Sequence, residues 1–363
     1  MEGIMKILRL LTYLTLSLAV TLAGCSSSKN STNSNNVEFN HELYDGKPTL
    51  GLTGEFPPET PEEAILRGDN AYMANDPDLA LYEYIRAVSF PSQSKADQAF
   101  YKIGYIHHQR KNYSLAKLAY ARAALIKPSS IQYTASVGVT SLQLGEHENA
   151  KKQLLKAVTM DQERQGAQWD PEKDMLSQPL KMDGRSPFEA YIALGILADL
   201  EAEHHNAQQI YLTALDANNR SEKALTNLGY SYYLDGKVEQ AEMINRRTTT
   251  LYPNNQRAWS NLGLTYIKMK RYEDALDALS KVMAREKALN DIGYFAMLEG
   301  DYESAVEYLN RAINTSPTFY AKAHENLQRA QKLQITAPPV KLSNDRRENQ
   351  SQATVFAITD TTH

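Results

Sequence analysis

One residue of 363 is a cysteine, Cys25. A lone thiol cannot close a disulfide within the chain, and once modified it leaves no thiolate nucleophile. Basic residues are not in excess, with 39 Lys and Arg against 43 Asp and Glu. Without the first 24 residues, which hold Lys6, Arg9 and Glu2, the balance is 37 to 42, a net charge near −5. General nucleic-acid binding needs a basic face, so this composition argues against it. A Gly-x-Gly-x-x-Gly phosphate loop, a Gly-x-Ser-x-Gly elbow and a His-Glu-x-x-His pair are all missing. The histidines include two adjacent pairs, His107-His108 and His204-His205. Neighbours on a helix point about 100° apart, so each pair offers only one donor to a given metal site. Glu62-Glu63 and Glu201/Glu203 read as solvated charge on polar helix faces. No catalytic residue, cofactor or metal is expected.

What the chain does have is a beat of about 34 residues. Glycine recurs at Gly68, Gly104, Gly138, Gly195, Gly229, Gly263 and Gly293, and an alanine follows each by twelve residues, from Ala80 to Ala305. This period, with small residues at these two points, is the signature of the tetratricopeptide repeat, a helix–turn–helix unit. In the clearest unit Trp259, Leu262 and Tyr266 fall on one helical face ahead of Ala275. Pro128, Pro253 and Pro317 close second helices. The spacings between glycines are 36, 34, 57, 34, 34 and 30. The 57 predicts an inserted loop, roughly 161–187, without helical period and holding Trp169. The 30 predicts a trimmed turn between Lys281 and Glu286. His107 falls where the repeat places a large core residue.

These features predict an all-α fold. It is a right-handed α-solenoid of about seven tetratricopeptide helix pairs over 61–335, plus a C-terminal capping helix from Phe319 to Gln334. The tail over 336–363, rich in Pro, Asn and Gln, is expected to be disordered.

The front end reads as an address. Lys6 and Arg9 precede a short apolar stretch from Leu10 to Leu22, followed by Leu22-Ala23-Gly24-Cys25. A span would need about 20 apolar residues, and this stretch is shorter. The pattern is a secretory signal over 1–24, and its last four residues resemble the lipobox of bacterial lipoproteins. That resemblance implies lipidation of Cys25. Ser26, where an aspartate would favour the inner membrane, implies an outer-membrane destination facing the periplasm. The Ser- and Asn-rich run after the cysteine predicts a flexible tether over 25–60.

In such a stack the first helix of each pair lines an inner groove. Counting along each unit, the residues expected to face it are Tyr101, Tyr105 and His108 in the second, and Ile192 and Ile196 in the fourth. The fifth gives Tyr230 and Tyr233, the sixth Leu264 and Ile267, and the seventh Asn290, Tyr294 and Met297. This apolar, aromatic set predicts recognition of a helix or extended segment of a protein partner.

Ala288-Leu-Asn-Asp-Ile-Gly-Tyr294, Ala296-Met-Leu-Glu-Gly-Asp-Tyr302 and Ser316-Pro-Thr-Phe-Tyr320 resemble the last repeat of the Tad/Flp (tight adherence) pilus assembly lipoproteins. The resemblance implies a role in assembling that pilus, with a secretin or another pilus-assembly component of the cell envelope as partner. A type IV pilotin, a barrel-assembly accessory and a scaffold for cell-wall hydrolases are the alternatives.

Overall fold

The computed structural model describes residues 41–45, 57–92, 94–170, 173 and 178–336. The leader, Cys25, most of the expected tether and the tail lie outside them. Fifteen α-helices and one short 3-10 turn (His41–Leu43) make up the regular structure, and no strand occurs among the described residues. The first helices of seven successive pairs are α1 (Pro61–Met73), α3 (Ala96–Gln109), α5 (Ile131–Gln143), α7 (Phe188–Leu200), α9 (Glu222–Leu234), α11 (Gln256–Lys268) and α13 (Arg285–Leu298). Their partners are α2 (Pro77–Ser89), α4 (Tyr113–Ile126), α6 (His147–Arg164), α8 (His204–Ala217), α10 (Val238–Leu251), α12 (Tyr272–Leu279) and α14 (Tyr302–Thr315). A fifteenth helix, α15 (Ala321–Thr336), packs on α13 and α14. The seven pairs and the cap stand where the glycine beat predicts them.

Each first helix ends the same way. Its last turn is closed by a backbone hydrogen bond from the residue eight after the repeat glycine to the carbonyl three after it, as in Asp76 N to Ala71 O and Glu203 N to Ala198 O. The residue between, at Asn75, Lys111, Gly145, Ala202, Gly236, Lys270 or Gly300, has a positive φ of 59 to 80°. This is the left-handed helix stop that glycine takes freely and alanine takes with strain. Thr60, Ser130, Ser221 and Asn255 cap the opposite ends of α1, α5, α9 and α11 with their side-chain oxygens.

The repeat glycines make room for a side chain rather than for bare backbone. A methyl on any of the seven would fall within 2.8 Å of the side chain sixteen residues later: Tyr84, Tyr120, Leu154, Tyr211, Asn245, Leu279 or Leu309. The seven alanines that follow the glycines are fully buried. The interior is therefore a column of second-helix side chains laid over first-helix glycines.

Three segments depart from the expectation. Asp161 to Arg164 are helical, the end of the 18-residue α6. The rest of the insertion, where described, is packed: Trp169 and Leu180 join the core around Leu154, Tyr191 and Leu194. Buried Asp161 accepts from Tyr191 Oη at 2.8 Å, and Arg164 bridges Asp161 and Asp183 at 2.6 and 2.8 Å. The short sixth unit loses its residues from α12, which has 8 residues where the other second helices have 13 to 18. The third departure lies in the expected tether. Leu43 is fully buried against α2 and α3, and His107 bonds its carbonyl through Nε2 at 2.8 Å. Asp45 pairs with Arg110 at 2.7 Å and Glu42 with Arg122 at 3.3 Å. Residues 41–45 thus form a strap on the stack. Burying one leucine contributes about 2 kcal/mol, and the hydrogen bond to His107 and the pairs to Arg110 and Arg122 add to it.

Candidate partner-binding site

The twelve groove positions do not share one environment. Ile192, Tyr233, Ile267, Asn290 and Met297 are buried, so they are core residues and offer no surface to a partner. The reason is packing between consecutive first helices: α5 meets α7, α7 meets α9, α9 meets α11, α11 meets α13, and α13 meets α15. Side chains that point inward are consumed between these neighbours. Asn290 shows this directly, since Asn326 of the capping helix donates to its Oδ1 at 3.0 Å. The sequence of α7 carries the same message, because its run from Ala190 to Ala198 holds no charged residue and all but Ile196 of it is buried.

Tyr101, His108, Ile196, Tyr230, Leu264 and Tyr294 are half-buried, and Tyr105 is exposed. Tyr230 stacks on Tyr233 with centroids 6.0 Å apart, and burial pushes its hydroxyl pKa up to about 12. His108 lies edge-on to Tyr113 at 5.4 Å, its pKa lowered first by burial and then by the Lys223 ammonium. Two other histidines are also placed in protein contacts. His107 bonds the strap, and His204 sits 2.9 Å from Asp199, which also accepts from Ser231 and Tyr211. Among the described residues no group of three or more His, Cys, Asp or Glu is placed to hold a metal ion.

The open part of the face is at the N-terminal end, where packing between α1 and α3 is sparse. A cleft of about 390 Å³ lies there, lined by Asp69, Tyr72 and Met73 of α1, Tyr84 of α2, and Tyr101, Lys102, Tyr105 and Ile106 of α3. Tyr72 and Tyr105 meet edge to face with centroids 6.0 Å apart, and Met73 is 83% exposed beside them. The floor is fixed by Asp69, which accepts from both Tyr84 Oη and Lys102 Nζ at 2.6 Å. Burial, then the Asp69 carboxylate, pushes the Tyr84 hydroxyl well above its ordinary pKa, so it stays a donor. The cleft therefore offers two aromatic edges and a thioether over a neutralised ion pair. Such a surface takes an apolar side chain of a partner.

Of the expected groove residues, only Tyr101 and Tyr105 line this cleft. Asp69 and Tyr72 are the first-unit equivalents of Tyr105 and His108, each 36 residues earlier. The same count applied to the weaker first unit would have found them. Met73 and Lys102 carry no repeat signal.

Comparison with known proteins bears on this architecture. A family profile described as "Tetratricopeptide repeat" matches 97–130, 135–164 and 286–319. The stack is a tetratricopeptide-repeat solenoid. A second profile, described as "Anaphase-promoting complex, cyclosome, subunit 3", matches residues 201–282 of the solenoid. The chain is 28% identical over 147 residues to the type IV pilus assembly protein PilF of Pseudomonas aeruginosa, covering 40% of this chain and 49% of that one. It is 24% identical over 270 residues to a TPR repeat-containing protein of Methanocaldococcus jannaschii, covering 68% and 43%. The chain thus spans about half or less of the length of these relatives. A solved tetratricopeptide repeat protein of Parabacteroides merdae covers 75% of this chain and 98% of its own, at 16% identity and a TM-score of 0.49.

Proposed function

We propose that this solenoid is a lipid-anchored scaffold of the outer membrane that holds protein components of a pilus machine. The observation that carries the reading is the similarity to PilF over 147 residues. Two features of the chain support it: the Leu22-Ala23-Gly24-Cys25 sequence ahead of a polar run, and an aromatic cleft fit for an apolar partner segment. In this reading Cys25 carries the lipid, several acyl chains hold the protein on the bilayer, and the cleft faces the periplasm. Its client is a secretin or another pilus-assembly component, engaged through Tyr72, Met73 and Tyr105.

Replacing Cys25 with Ser should move the protein from the membrane to the soluble fraction. Undiminished membrane retention would remove the anchor from the account. A pull-down from solubilised membranes is expected to recover a secretin or pilus subunit with the native chain and to lose it with Tyr105→Ala. Recovery of murein hydrolases without any pilus component would overturn the assignment.

Two pilus classes compete. The last-repeat resemblance favours the tight-adherence type, and the PilF similarity favours type IV. A deletion strain scored for both kinds of filament separates them.

A further inference from the structure

A second concavity of about 550 Å³ lies between the loop joining α8 to α9 and the outer face of α10. Asn219, Arg220, Arg246, Arg247, Thr250 and Leu251 line it, and it shares no residue with the aromatic cleft. Several cations of the stack sit on carboxylates, as Arg67 does on Glu63, Arg110 on Asp45 and Asp78, and Arg311 on Glu273. Arg220 and Arg247 form no ion pair among the described residues. The carboxylate nearest Arg246, Glu242 at 3.5 Å, is held more closely by Arg271 at 2.9 Å. Three guanidinium groups therefore share less than one counter-charge, in a chain whose net charge is negative.

The loop that carries Arg220 is fixed to its surroundings. Arg247 Nη2 donates to Asn219 O at 2.7 Å, Tyr252 Oη donates to the carbonyl of Arg220, and Arg220 N donates to Asn218 Oδ1 at 3.2 Å. Thr250 is tied back to the carbonyl of Arg246 at 2.8 Å. Such anchoring lowers the ordering cost of binding, and guanidinium forks match carboxylates in geometry as well as charge.

We propose that this cleft docks a short acidic segment of a protein partner, with its carboxylates on Arg220, Arg246 and Arg247 and an apolar side chain against Leu251. The charge balance selects this occupant. A net-negative chain is repelled as a whole by an extended anionic surface such as an acidic bilayer, whereas a short segment meets only the local positive field. Leu251 gives an apolar contact that a bare phosphate would not use. The proposal does not depend on which envelope machine the scaffold serves.

The test is fluorescence anisotropy of the full-length protein with a short labelled peptide of alternating Glu and Leu, set against the same peptide with Gln for Glu. The Glu peptide should bind more tightly and weaken with salt. Arg220→Gln should weaken it roughly tenfold, the scale of one lost charge-assisted hydrogen bond. Arg220→Gln with Arg247→Gln should weaken it further, and Arg220→Lys should restore part of the loss. The Arg246 guanidinium holds no backbone group, unlike that of Arg247, so Arg246→Gln carries the test if the loop variants prove less stable by circular dichroism. Equal affinity for the two peptides, or arginine variants that bind the Glu peptide as well as the native chain, would overturn the proposal. So would a preference for phosphatidylglycerol over phosphatidylcholine vesicles that vanishes in these variants while no peptide binds, since that would assign the cleft to a lipid headgroup.

Discussion

Tyr105 and Tyr230 each follow a repeat glycine by one residue, Gly104 in the second unit and Gly229 in the fifth. On the repeat pattern they are the same position. Tyr105 is 40% exposed on the rim of a cleft, while Tyr230 is half-buried and stacked on the buried Tyr233. The difference comes from the neighbours. Around Tyr230 the first helices α7, α9 and α11 pack on one another, whereas α3, which carries Tyr105, packs only sparsely on the first helices to either side of it, α1 and α5. A place in the repeat sets the direction in which a side chain points. How closely the next hairpin is stacked sets whether that side chain meets solvent or protein.

The contrast can be broken most strongly in the sealed region. Tyr233→Ala should cost about 3–5 kcal/mol of stability, as expected for truncating a large buried ring, and should lower the melting temperature. Tyr105→Ala should leave the melting temperature nearly unchanged while weakening partner capture. A mild effect of Tyr233→Ala would show that the middle of the stack is more open than described.

Packing over the glycines comes next. Gly263→Leu drives a side chain into Leu279 and should destabilise by roughly 1–3 kcal/mol in chemical denaturation. Variants at Gly195, which faces fully buried Tyr211, should be at least as costly.

The strap offers a smaller, pH-dependent effect. Burial is the largest influence on the His107 imidazole and holds its pKa below the ordinary value, against the opposing pull of the Leu43 carbonyl and the Asp45 carboxylate. The folded chain thus binds this proton less readily than the unfolded chain. The stabilisation is fully present above the unfolded pKa and is lost as pH falls through the folded one. Stability should drop more from pH 7.5 to pH 5 in the native chain than in His107→Gln, read as the difference between their denaturation curves. Parallel curves would free the strap from this histidine.

The smallest effect is a gain. Ala202 holds a φ of 60° at a position where three other units use glycine. Ala202→Gly should stabilise by about 0.5–1 kcal/mol, by relieving a left-handed alanine.

The hairpins were legible because their signals are local: a glycine under a large side chain, an alanine twelve residues on, a proline at the close. The shortening of the sixth unit was legible in the beat, but its place was not: the trimmed turn expected between Lys281 and Glu286 is instead a helix α12 of 8 residues. The left-handed stop at Asn75, Lys111, Ala202 and Lys270 was not read, because only three of the seven sites carry glycine. Burial of Ile192, Ile267 and Met297 depends on contacts between successive first helices, which no single-helix period records. The strap escaped for a related reason. Leu43 lies in a polar, proline-punctuated segment, and its partner His107 is 64 residues away.

The central claim, that the open face lies between α1 and α3, is tested most directly by a photo-crosslinking amino acid placed in living cells at position 105 or at its repeat equivalent, position 230. Both variants should first be matched for folding by circular dichroism. Capture of a partner chain from position 105 and little or none from position 230 is the expected result. Equal capture from the two positions, or capture from 230 alone, would contradict it.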